Sequence, residues 1–507
     1  MNIASERQHQ RAPSLTRRAL LIGASAGIGA IVGRHFPATT SDPGPRFPSV
    51  AGAPAGQTVL NDASQLSPTP VASHVTIHEN PQAAIERIRA ALKDARAAGR
   101  PFIASTARHS MGGQSLARDG TVVTLDQQRL DPDSRGKVYR VAAGARWSTV
   151  IARLDAIGFS PAVMQSNNDF GVASTFSVNA HGWPVPFSGC GSTVRSITML
   201  LADGALVTCS RIDNADLFRH AMGGYGLLGV ITELEIDMVP NALLAPTFEE
   251  VNGAEIGQRF ATRLASDRSI QMAYGRMDVA LDRFFERALL ITYRPSADQH
   301  DLPAASGSGL ISKASRYIFR GQVDSDTAKR FRWWTEVAVG PRFAGDVTRN
   351  SLLNEPVITL DDRDPSRTDI LHEYFVPPAR FASFVKACQE VIPASYQQLL
   401  NITLRYVDVD RDSVLAYARE PVIAAVMLFS QEQTMRGEAD MSRMTRALIE
   451  RVLDAGGTYY LPYRPHASLD QLSRGYPRAA AFAAMKRQID PDLLFRNQLW
   501  DGYLAKL

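Results

Sequence analysis

Two loops of the sequence combine small residues with histidines in a pattern that suits a phosphate-bearing ligand. The first reads "ARHSMGGQS" over residues 107–115, and the second reads "GVASTFSVNAHG" over residues 171–182. Small side chains let a backbone approach a diphosphate closely, and successive N–H groups can donate to its oxygens. Glycine-bearing turns are also common as plain connections, so the loops by themselves leave both interpretations open.

Regular elements flank each loop and would hold it in place. Asn80, Pro81 and Gly99 are typical of the N-cap, first turn and end of a helix, and a strand follows before the first loop. The stretch "STVIARLDAIG" over 148–158 predicts a helix before the second loop. The stretch over 193–210 predicts a hairpin that turns at its Asp-Gly pair.

The composition indicates an ordinary globular protein. A chain of 507 residues can build two or three domains, each with a full-sized core. The net charge of +4 is small for this length, so no nucleic-acid partner is predicted. The three cysteines, Cys190, Cys209 and Cys388, are too few and too scattered for a disulfide framework or a zinc site, and no metal site is predicted.

The N-terminal stretch "RRALLIGASAGIGAIVGRHF", residues 17–36, admits two interpretations. Its glycines resemble the fingerprint of an NAD(P)-dependent short-chain reductase. That fold needs a full helix and a second strand ending in an acidic residue, whereas the chain after Phe36 is rich in proline. The nicotinamide interpretation is therefore the less favoured alternative.

An export signal fits this stretch better. Arg17 and Arg18 precede an apolar run and resemble a twin-arginine signal. The run, 19–32, is too short and too glycine-rich for a stable membrane span. The sequence thus predicts export to the periplasm or the extracellular space.

Five segments, the two loops among them, carry a resemblance to a known superfamily. The first loop is similar to the "Gly-x-Gly-His-Ser-x-x-Gly-Gln" loop of the vanillyl-alcohol oxidase superfamily, whose FAD-binding domain is called the PCMH type. The second loop, the strand segment 214–236 and the segments 459–472 and 481–504 resemble further parts of that family, in the same order. Within this superfamily, these segments most resemble those of bacterial oxidoreductases similar to cytokinin dehydrogenase.

The resemblance implies an α+β fold with a PCMH-type FAD-binding domain of two subdomains, an antiparallel-sheet α+β substrate (cap) domain, and a C-terminal return to the FAD domain. The corresponding boundaries are a twin-arginine-type signal over 1–36, a Pro/Gly/Ala-rich linker over 37–70, the FAD-binding domain over 71–240, the cap over 241–455 and the return over 456–507.

The resemblance also implies which residues hold FAD. His109 stands where many members bond the 8α carbon of the flavin covalently to a histidine. The second loop has no cysteine, so one covalent link is expected rather than two. The other residues that the resemblance assigns to the cofactor are Ala107, Ser110, Gly112, Gly113, Gln114, Gly171, Ser177, His181, Ile231, Tyr460 and Gln498.

Three residues are implied as catalytic. Arg405 is the candidate for stabilising negative charge that develops on the flavin, and Glu373 could face the substrate. Cytokinin dehydrogenases have a proton-accepting aspartate just before the second loop. Ser166 occupies that position here, and Asp169 lies three residues further on, so Asp169 is the remaining candidate base.

The implied function is an FAD-dependent oxidoreductase, either an oxidase or a dehydrogenase. It would transfer hydride from a C–OH or C–NH group of a small substrate, such as a sugar alcohol, a lactone or a cytokinin-like amine, to flavin N5. Oxygen or a quinone-type acceptor would reoxidise the flavin. A second hypothesis is a flavin-binding sensor or carrier with a degenerate pocket, because Ser166 and Phe495 depart from the family pattern.

Overall fold

The computed structural model describes residues 58–307, 320–356 and 366–507. The predicted export signal over 1–36 and the predicted linker up to residue 57 lie outside the described residues. In the part of the chain that the structure describes, no helix combines the length and the apolar character that crossing a membrane requires.

The strands and the helices are given separately, each in chain order. The strands are β1 (Thr58–Leu60), β2 (Thr69–Val71), β3 (Ser73–Ile77), β4 (Phe102–Ser105), β5 (Thr121–Leu125), β6 (Leu130–Asp133), β7 (Val138–Ala142), β8 (Phe159–Pro161), β9 (Val194–Leu200), β10 (Leu206–Ser210), β11 (Val230–Pro240), β12 (Leu243–Asn252), β13 (Met272–Met277), β14 (Arg287–Pro295), β15 (Val347–Thr348), β16 (Arg367–Val376), β17 (Gln398–Val407), β18 (Val422–Glu432) and β19 (Thr458–Tyr459). The helices are α1 (Pro81–Ala97), α2 (Trp147–Asp155), α3 (Val172–Ser177), α4 (Ala215–Ala221), α5 (Ile256–Ser266), α6 (Asp326–Trp334), α7 (Gly340–Phe343), α8 (Arg349–Leu353), α9 (Phe381–Val391), α10 (Met435–Asp454), α11 (Leu469–Gly475), α12 (Ala479–Ile489) and α13 (Gln498–Gly502).

Two sheets carry the loops that the sequence singled out. A three-stranded parallel sheet has the order β3-β5-β4, and its central strand β5 is almost entirely buried. An antiparallel sheet has the order β10-β9-β11-β7-β6, with β8 paired to β11. The first loop leaves the C-terminal end of β4, and the second loop contains α3. The C-terminal ends of parallel strands lie at the same edge of their sheet. The first loop therefore begins at the edge where β3 and β5 also end.

Helix α1 covers the parallel sheet with an apolar stripe. Its buried residues are Ala84, Ile88, Leu92 and Ala95, spaced as one face of a helix requires. The Asn80 side chain accepts a hydrogen bond from Ala83 N at 3.1 Å, which satisfies one of the free N–H groups at the helix start.

Removing this cap should weaken the helix measurably. We expect Asn80→Ala to cost about 1 kcal/mol of stability, the usual loss for an N-cap replaced by alanine. The measurement is the urea midpoint of the purified protein. Asn80→Asp keeps an acceptor oxygen and serves as the control, so equal midpoints for the two variants would contradict the capping role.

The larger sheet is antiparallel and has the order β15-β12-β14-β13-β17-β18-β16-β19. Its register aligns Arg276 with Thr403, Thr403 with Val426 and Val426 with Glu373 across four neighbouring strands. Directly paired residues of antiparallel strands point to the same face. One face of this sheet therefore presents a row of polar side chains around Glu373. Helices combined with antiparallel sheets agree with the mixed α and β fold that the sequence predicts.

The C-terminal segment after β19 packs against the first loop. Phe102 N donates to Leu494 O at 2.7 Å, and the Phe102 and Phe495 rings meet edge to face. The Asn497 side chain donates to Gln114 O and to Tyr225 O. These contacts bring the end of the chain beside residues that come almost four hundred positions earlier.

Part of the predicted linker is also built into the fold. Strands β1 and β2 pair with each other, and Asp62 between them accepts a hydrogen bond from Gly113 N at 2.8 Å. Composition favours a tether in this stretch because proline and small residues dominate it up to residue 57. The folded part, from Thr58 onward, is fixed by contacts with the first loop.

Candidate functional site

One cavity is shared by the two loops, the larger sheet and the C-terminal segment. About 1090 Å³ of space lies between its walls, counted together with the open solvent at its mouth. The residues that line it from the two loops include Ala107, Arg108, His109, Ser110, Gln114, Gly171, Ser174, Ser177 and His181. The sheet contributes Leu371, Glu373, Arg405 and Val426, and the C-terminal segment contributes Tyr460, Pro462 and Tyr463.

The two loops are joined by a hydroxyl contact. Thr106 Oγ1 and Ser174 Oγ lie 2.5 Å apart, and Gly171 packs directly on the Thr106 side chain. A Cβ at Gly171 would lie 2.6 Å from Thr106 Cβ, so only glycine permits this approach. Hydroxyl-bearing residues of both loops thus line one end of the cavity.

His109 lies in the cavity wall with its ring held by an aromatic neighbour. The ring stacks on Phe170 at a centroid distance of 4.2 Å. Arg108, just before it, has a left-handed backbone with φ of 52°, which is uncommon for a residue other than glycine. Family members often have glycine at this position, and the left-handed backbone explains why glycine suits it.

Glu373 and Arg405 enter the cavity from neighbouring parts of the larger sheet. Arg405 donates from Nη1 to His181 O at 3.0 Å and from Nη2 to Ser166 Oγ at 2.8 Å. Glu373 is 3% exposed, and its Oε1 lies 2.5 Å from His181 Nε2. Tyr463 Oη donates to the other oxygen of Glu373 at 3.2 Å.

Burial sets the protonation of these groups. Desolvation lowers the pKa of His181 although the Glu373 carboxylate opposes the shift, so the imidazole is neutral at neutral pH. Desolvation, reinforced by the Glu373 charge, raises the pKa of Tyr463 well above its usual range. Tyr463 therefore remains a hydrogen-bond donor at any ordinary pH.

Comparison with known proteins indicates which cofactor this region resembles a domain for. Residues 83–210 match a family described as an FAD binding domain. This region of the chain is therefore similar to an FAD-binding domain. This match contains both loops and the strands that hold them, and it agrees with the predicted superfamily.

Several curated relatives are similar to about a quarter of the chain. Cytokinin dehydrogenase 7 of Oryza sativa subsp. japonica is 33% identical over 143 residues, 26% of each chain. Cytokinin dehydrogenase 1 of Arabidopsis thaliana is 29% identical over 140 residues, 26% of this chain and 24% of the relative. L-gulonolactone oxidase of Mus musculus is 27% identical over 131 residues, 25% of this chain and 30% of the relative. The chain thus spans less than a third of the length of these relatives.

The cavity of the FAD-binding domain has the features that such a cofactor requires. Its loop end offers hydroxyls and closely approaching backbone for a diphosphate. His181 Nδ1 and Arg405 Nε are buried without a hydrogen-bond partner among the described residues, and both side chains line this cavity. The polar ring system of a flavin would supply acceptors and donors at that end. The residues present therefore fit FAD.

Eight residues predicted to hold the cofactor line this cavity, seven of them from the two loops. They are Ala107, His109, Ser110, Gln114, Gly171, Ser177 and His181, and Tyr460 joins them from the C-terminal segment. Tyr460 Oη donates to Val178 O at 2.7 Å, which fixes its ring against the second loop. His181 lies at the Glu373 end of the cavity rather than with the hydroxyls.

The other predicted cofactor residues lie behind the cavity wall. Gly112 N donates to Gln114 Oε1, and Gly113 N donates to Asp62, so both amides support the loop from behind. The Gln498 side chain packs against Gly113 from the C-terminal segment. Ile231 is buried in the core of the FAD-binding domain on β11.

Asp169 differs from the other predicted catalytic residues in position. Glu373 and Arg405 line the cavity together, whereas Asp169 is not among its lining residues. Ser166 does line it, where it binds Arg405. Among the described residues, no group of histidine, cysteine and acidic side chains could hold a metal ion.

Tyr463 and Thr106 line the site although sequence reasoning did not select them. Tyr463 lies in the segment 459–472, which resembles the superfamily, and its proximity to Glu373 depends on sheet register. Thr106 directly precedes the first loop, so extending that motif by one residue would have found it.

Proposed function

We propose that the protein is an FAD-dependent oxidoreductase that removes a hydride from a C–OH or C–NH group of a small substrate. When bound, FAD supplies the two-electron acceptor. The observation that supports this most is that Glu373 and Arg405 line the same cavity as the two loops of the FAD-binding domain. A carboxylate able to take a proton and a guanidinium able to stabilise negative charge are the groups that such a reaction requires.

The test is the reaction of the loaded protein with substrates in the absence of oxygen. The protein is purified, supplied with FAD and mixed with a panel of sugar alcohols, lactones and isoprenoid adenines. We expect loss of flavin absorbance with at least one member of the panel. A protein that stays colourless with excess FAD would contradict the proposal, and one that binds FAD without any bleaching would indicate a sensor or carrier.

The proposed substrate class follows the relatives and the cavity. The names of the relatives refer to cytokinins and to a lactone. The walls around Glu373 combine hydroxyls, one guanidinium and apolar side chains such as Leu371 and Val426. This mixture suits an alcohol, lactone or amine of low charge, with oxygen or a quinone-type acceptor completing the cycle.

We further propose that His109 bonds covalently to the flavin 8α carbon. Its position in the cavity wall, stacked on Phe170, supports this link. All three cysteines are buried and free, and none lines this cavity of the described chain, which favours a single link. Burial also raises the pKa of Cys190 to about 12, which suppresses its thiolate.

The covalent link can be tested by acid denaturation. We expect the yellow colour to remain with the precipitated polypeptide and a flavin-bearing peptide to contain His109. His109→Ala should release the colour while still binding FAD, because the loops that surround the diphosphate are unchanged. Colour that leaves the wild-type polypeptide in acid would contradict the link.

The proposed domain organisation assigns 71–240 to the FAD-binding domain, 241–455 to the cap and 456–507 to the C-terminal return. The first strand of the larger sheet in chain order is β12, which begins at Leu243. This supports the boundary between residues 240 and 241. Export to the periplasm or beyond through the twin-arginine-type signal remains part of the proposal. A fusion of residues 1–36 to a reporter that functions only after export would test it.

Arg405 is the residue whose loss should most affect the proposed reaction. We expect Arg405→Met to slow flavin reduction by about 10²–10³-fold, the usual cost of losing one donor that stabilises developing charge. The measurement is stopped-flow flavin reduction with the substrate found in the panel. Ser166→Ala removes only the neutral partner of Arg405 at 2.8 Å and is the control, with a small expected effect. Equal rates for Arg405→Met and wild type would contradict the role.

A further inference from the structure

Three buried side chains form a continuous hydrogen-bonded group at the substrate end of the cavity. Glu373 Oε1 lies 2.5 Å from His181 Nε2, and Glu373 Oε2 accepts from Tyr463 Oη at 3.2 Å. His181 and Glu373 side chains are each 2% exposed. A histidine and a carboxylate this close and this dry are joined by one hydrogen bond and act as one unit.

The hydrogen bonds decide where the protons of this unit lie. Tyr463 keeps its proton and donates it, so Glu373 acts as an acceptor on that side. Glu373 then also accepts from His181 Nε2, which makes Nε2 the protonated nitrogen of a neutral imidazole. His181 Nδ1 is left with its lone pair and has no partner among the described residues.

The surroundings prevent His181 from holding an additional charge by itself. Phe375, Tyr417 and Tyr460 pack around its ring. Arg405 donates to the backbone oxygen of His181 and brings a positive charge close by. Apart from Glu373 and Arg405, the titratable groups facing the ring are the tyrosines 417 and 460, which burial keeps neutral. Any proton gained by the unit must therefore be shared with Glu373.

We propose that Glu373 and His181 together accept the proton that the substrate releases during oxidation, with His181 Nδ1 as the atom that receives it and Glu373 as the carboxylate that takes up the proton of Nε2. This rests on the proposed function. The substrate O–H or N–H bond breaks, and its electron pair stays to form the new C=O or C=N bond. The C–H electron pair leaves as hydride to the two-electron acceptor. The released proton binds to the Nδ1 lone pair while the Nε2 proton moves across the hydrogen bond to Oε1, so the pair becomes a neutral imidazole and a neutral carboxylic acid. The additional proton passes to water afterwards.

Sharing has a physical advantage over a carboxylate acting alone. Before the reaction the unit consists of a neutral imidazole and a carboxylate, balanced by the Arg405 guanidinium. After it, both the imidazole and the carboxylic acid are neutral, so no isolated charge of this unit faces the surrounding aromatic rings. The unit thereby supplies the proton acceptor that Ser166 does not provide.

Kinetics test the shared proton through His181→Gln and Glu373→Gln. A glutamine at 181 can still donate to Glu373 but cannot take up a proton. We expect Glu373→Gln and His181→Gln each to slow flavin reduction by about 10²–10⁴-fold, as for other lost general bases. We expect His181→Gln to leave KM unchanged and to shift the acid limb of the pH profile. The wild-type rate falls as the pH falls, because the accepting form is the deprotonated one. An unchanged rate and pH profile for His181→Gln would overturn the proposal.

Tyr463→Phe is the matched control for these variants. It removes the weaker hydrogen bond to Glu373 at 3.2 Å and leaves the His181 bond intact. We expect a smaller loss of rate than for His181→Gln and no movement of the acid limb. A larger effect of Tyr463→Phe on the acid limb would assign the shared proton to the tyrosine and overturn the role of His181.

Nitrogen NMR of flavin-free protein gives a readout that does not depend on activity. With the ten histidines labelled by ¹⁵N, the His181 signal is the one missing in His181→Gln. We expect a neutral ring protonated at Nε2 at neutral pH. Protonation at Nδ1 instead would overturn the proposal. Failure to bind FAD would contradict the proposed function and leave this measurement unaffected, so the two failures are distinguishable.

Discussion

Gly171→Val should abolish FAD uptake. Gly171 packs on Thr106, and the pair forms the point at which the two loops approach each other. A Cβ there would overlap Thr106 at 2.6 Å, so the branched valine side chain must push the loops apart. Backbone N–H groups that converge on one diphosphate lose that convergence when their spacing changes. We expect at least about a hundredfold loss of affinity, equivalent to about 2.7 kcal/mol.

Titration of flavin-free protein with FAD, followed by absorbance, measures this loss. Gly345→Val is the control, because nothing lies within 4 Å of the Cβ that it adds. A second variant, Gly171→Ala combined with Thr106→Gly, relieves the overlap and should recover part of the binding. Wild-type affinity in Gly171→Val would show that the spacing of the loops does not govern binding.

Asp490→Ala should cause the largest loss of stability. Asp490 and Lys486 form a salt bridge that is fully buried, and Asp490 also accepts from Leu494 N and Phe495 N. Removing the carboxylate leaves the ammonium and two N–H groups buried without partners. Breaking a buried ion pair in this way costs about 3–5 kcal/mol. Burial already lowers the pKa of Lys486, and losing Asp490 would lower it further.

Urea denaturation followed by tryptophan fluorescence measures this effect, because Trp500 packs near Lys486. The control is the double variant Lys486→Met with Asp490→Asn, which removes both charges and keeps a side-chain oxygen for one N–H. We expect it to be more stable than Asp490→Ala, since no ammonium is left unpaired. The reverse order of stability would contradict the role of the buried charge.

Features encoded in a short stretch could be predicted from the sequence. Asn80 and Pro81 begin helix α1 as expected, and the hairpin of β9 and β10 turns at Gly204, whose φ is 86°. Capping oxygens and left-handed glycines act within a few residues, so their signal is local. The two loops, 107–115 and 171–182, could be selected for the same reason.

Contacts between distant parts of the chain could not be predicted in this way. His181 and Glu373 are separated by 192 positions and meet only because β16 lies at a particular register in its sheet. Sheet register depends on pairing along whole strands, which no single residue reports. For the same reason the sequence assigned His181 to the cofactor, without linking it to Glu373, and did not select Tyr463. Asp62 was assigned to a linker because its partner, Gly113, is far away.

The contacts made by the last residues have a consequence for synthesis. Leu494, Asn497 and Gln498 complete the support of the first loop, and Tyr460 and Tyr463 close one wall of the cavity. Asn497 is synthesised 383 positions after its partner Gln114. A nascent chain therefore lacks a finished cavity until this segment has left the ribosome, and a stop codon placed before it would yield a protein whose first loop is without this support.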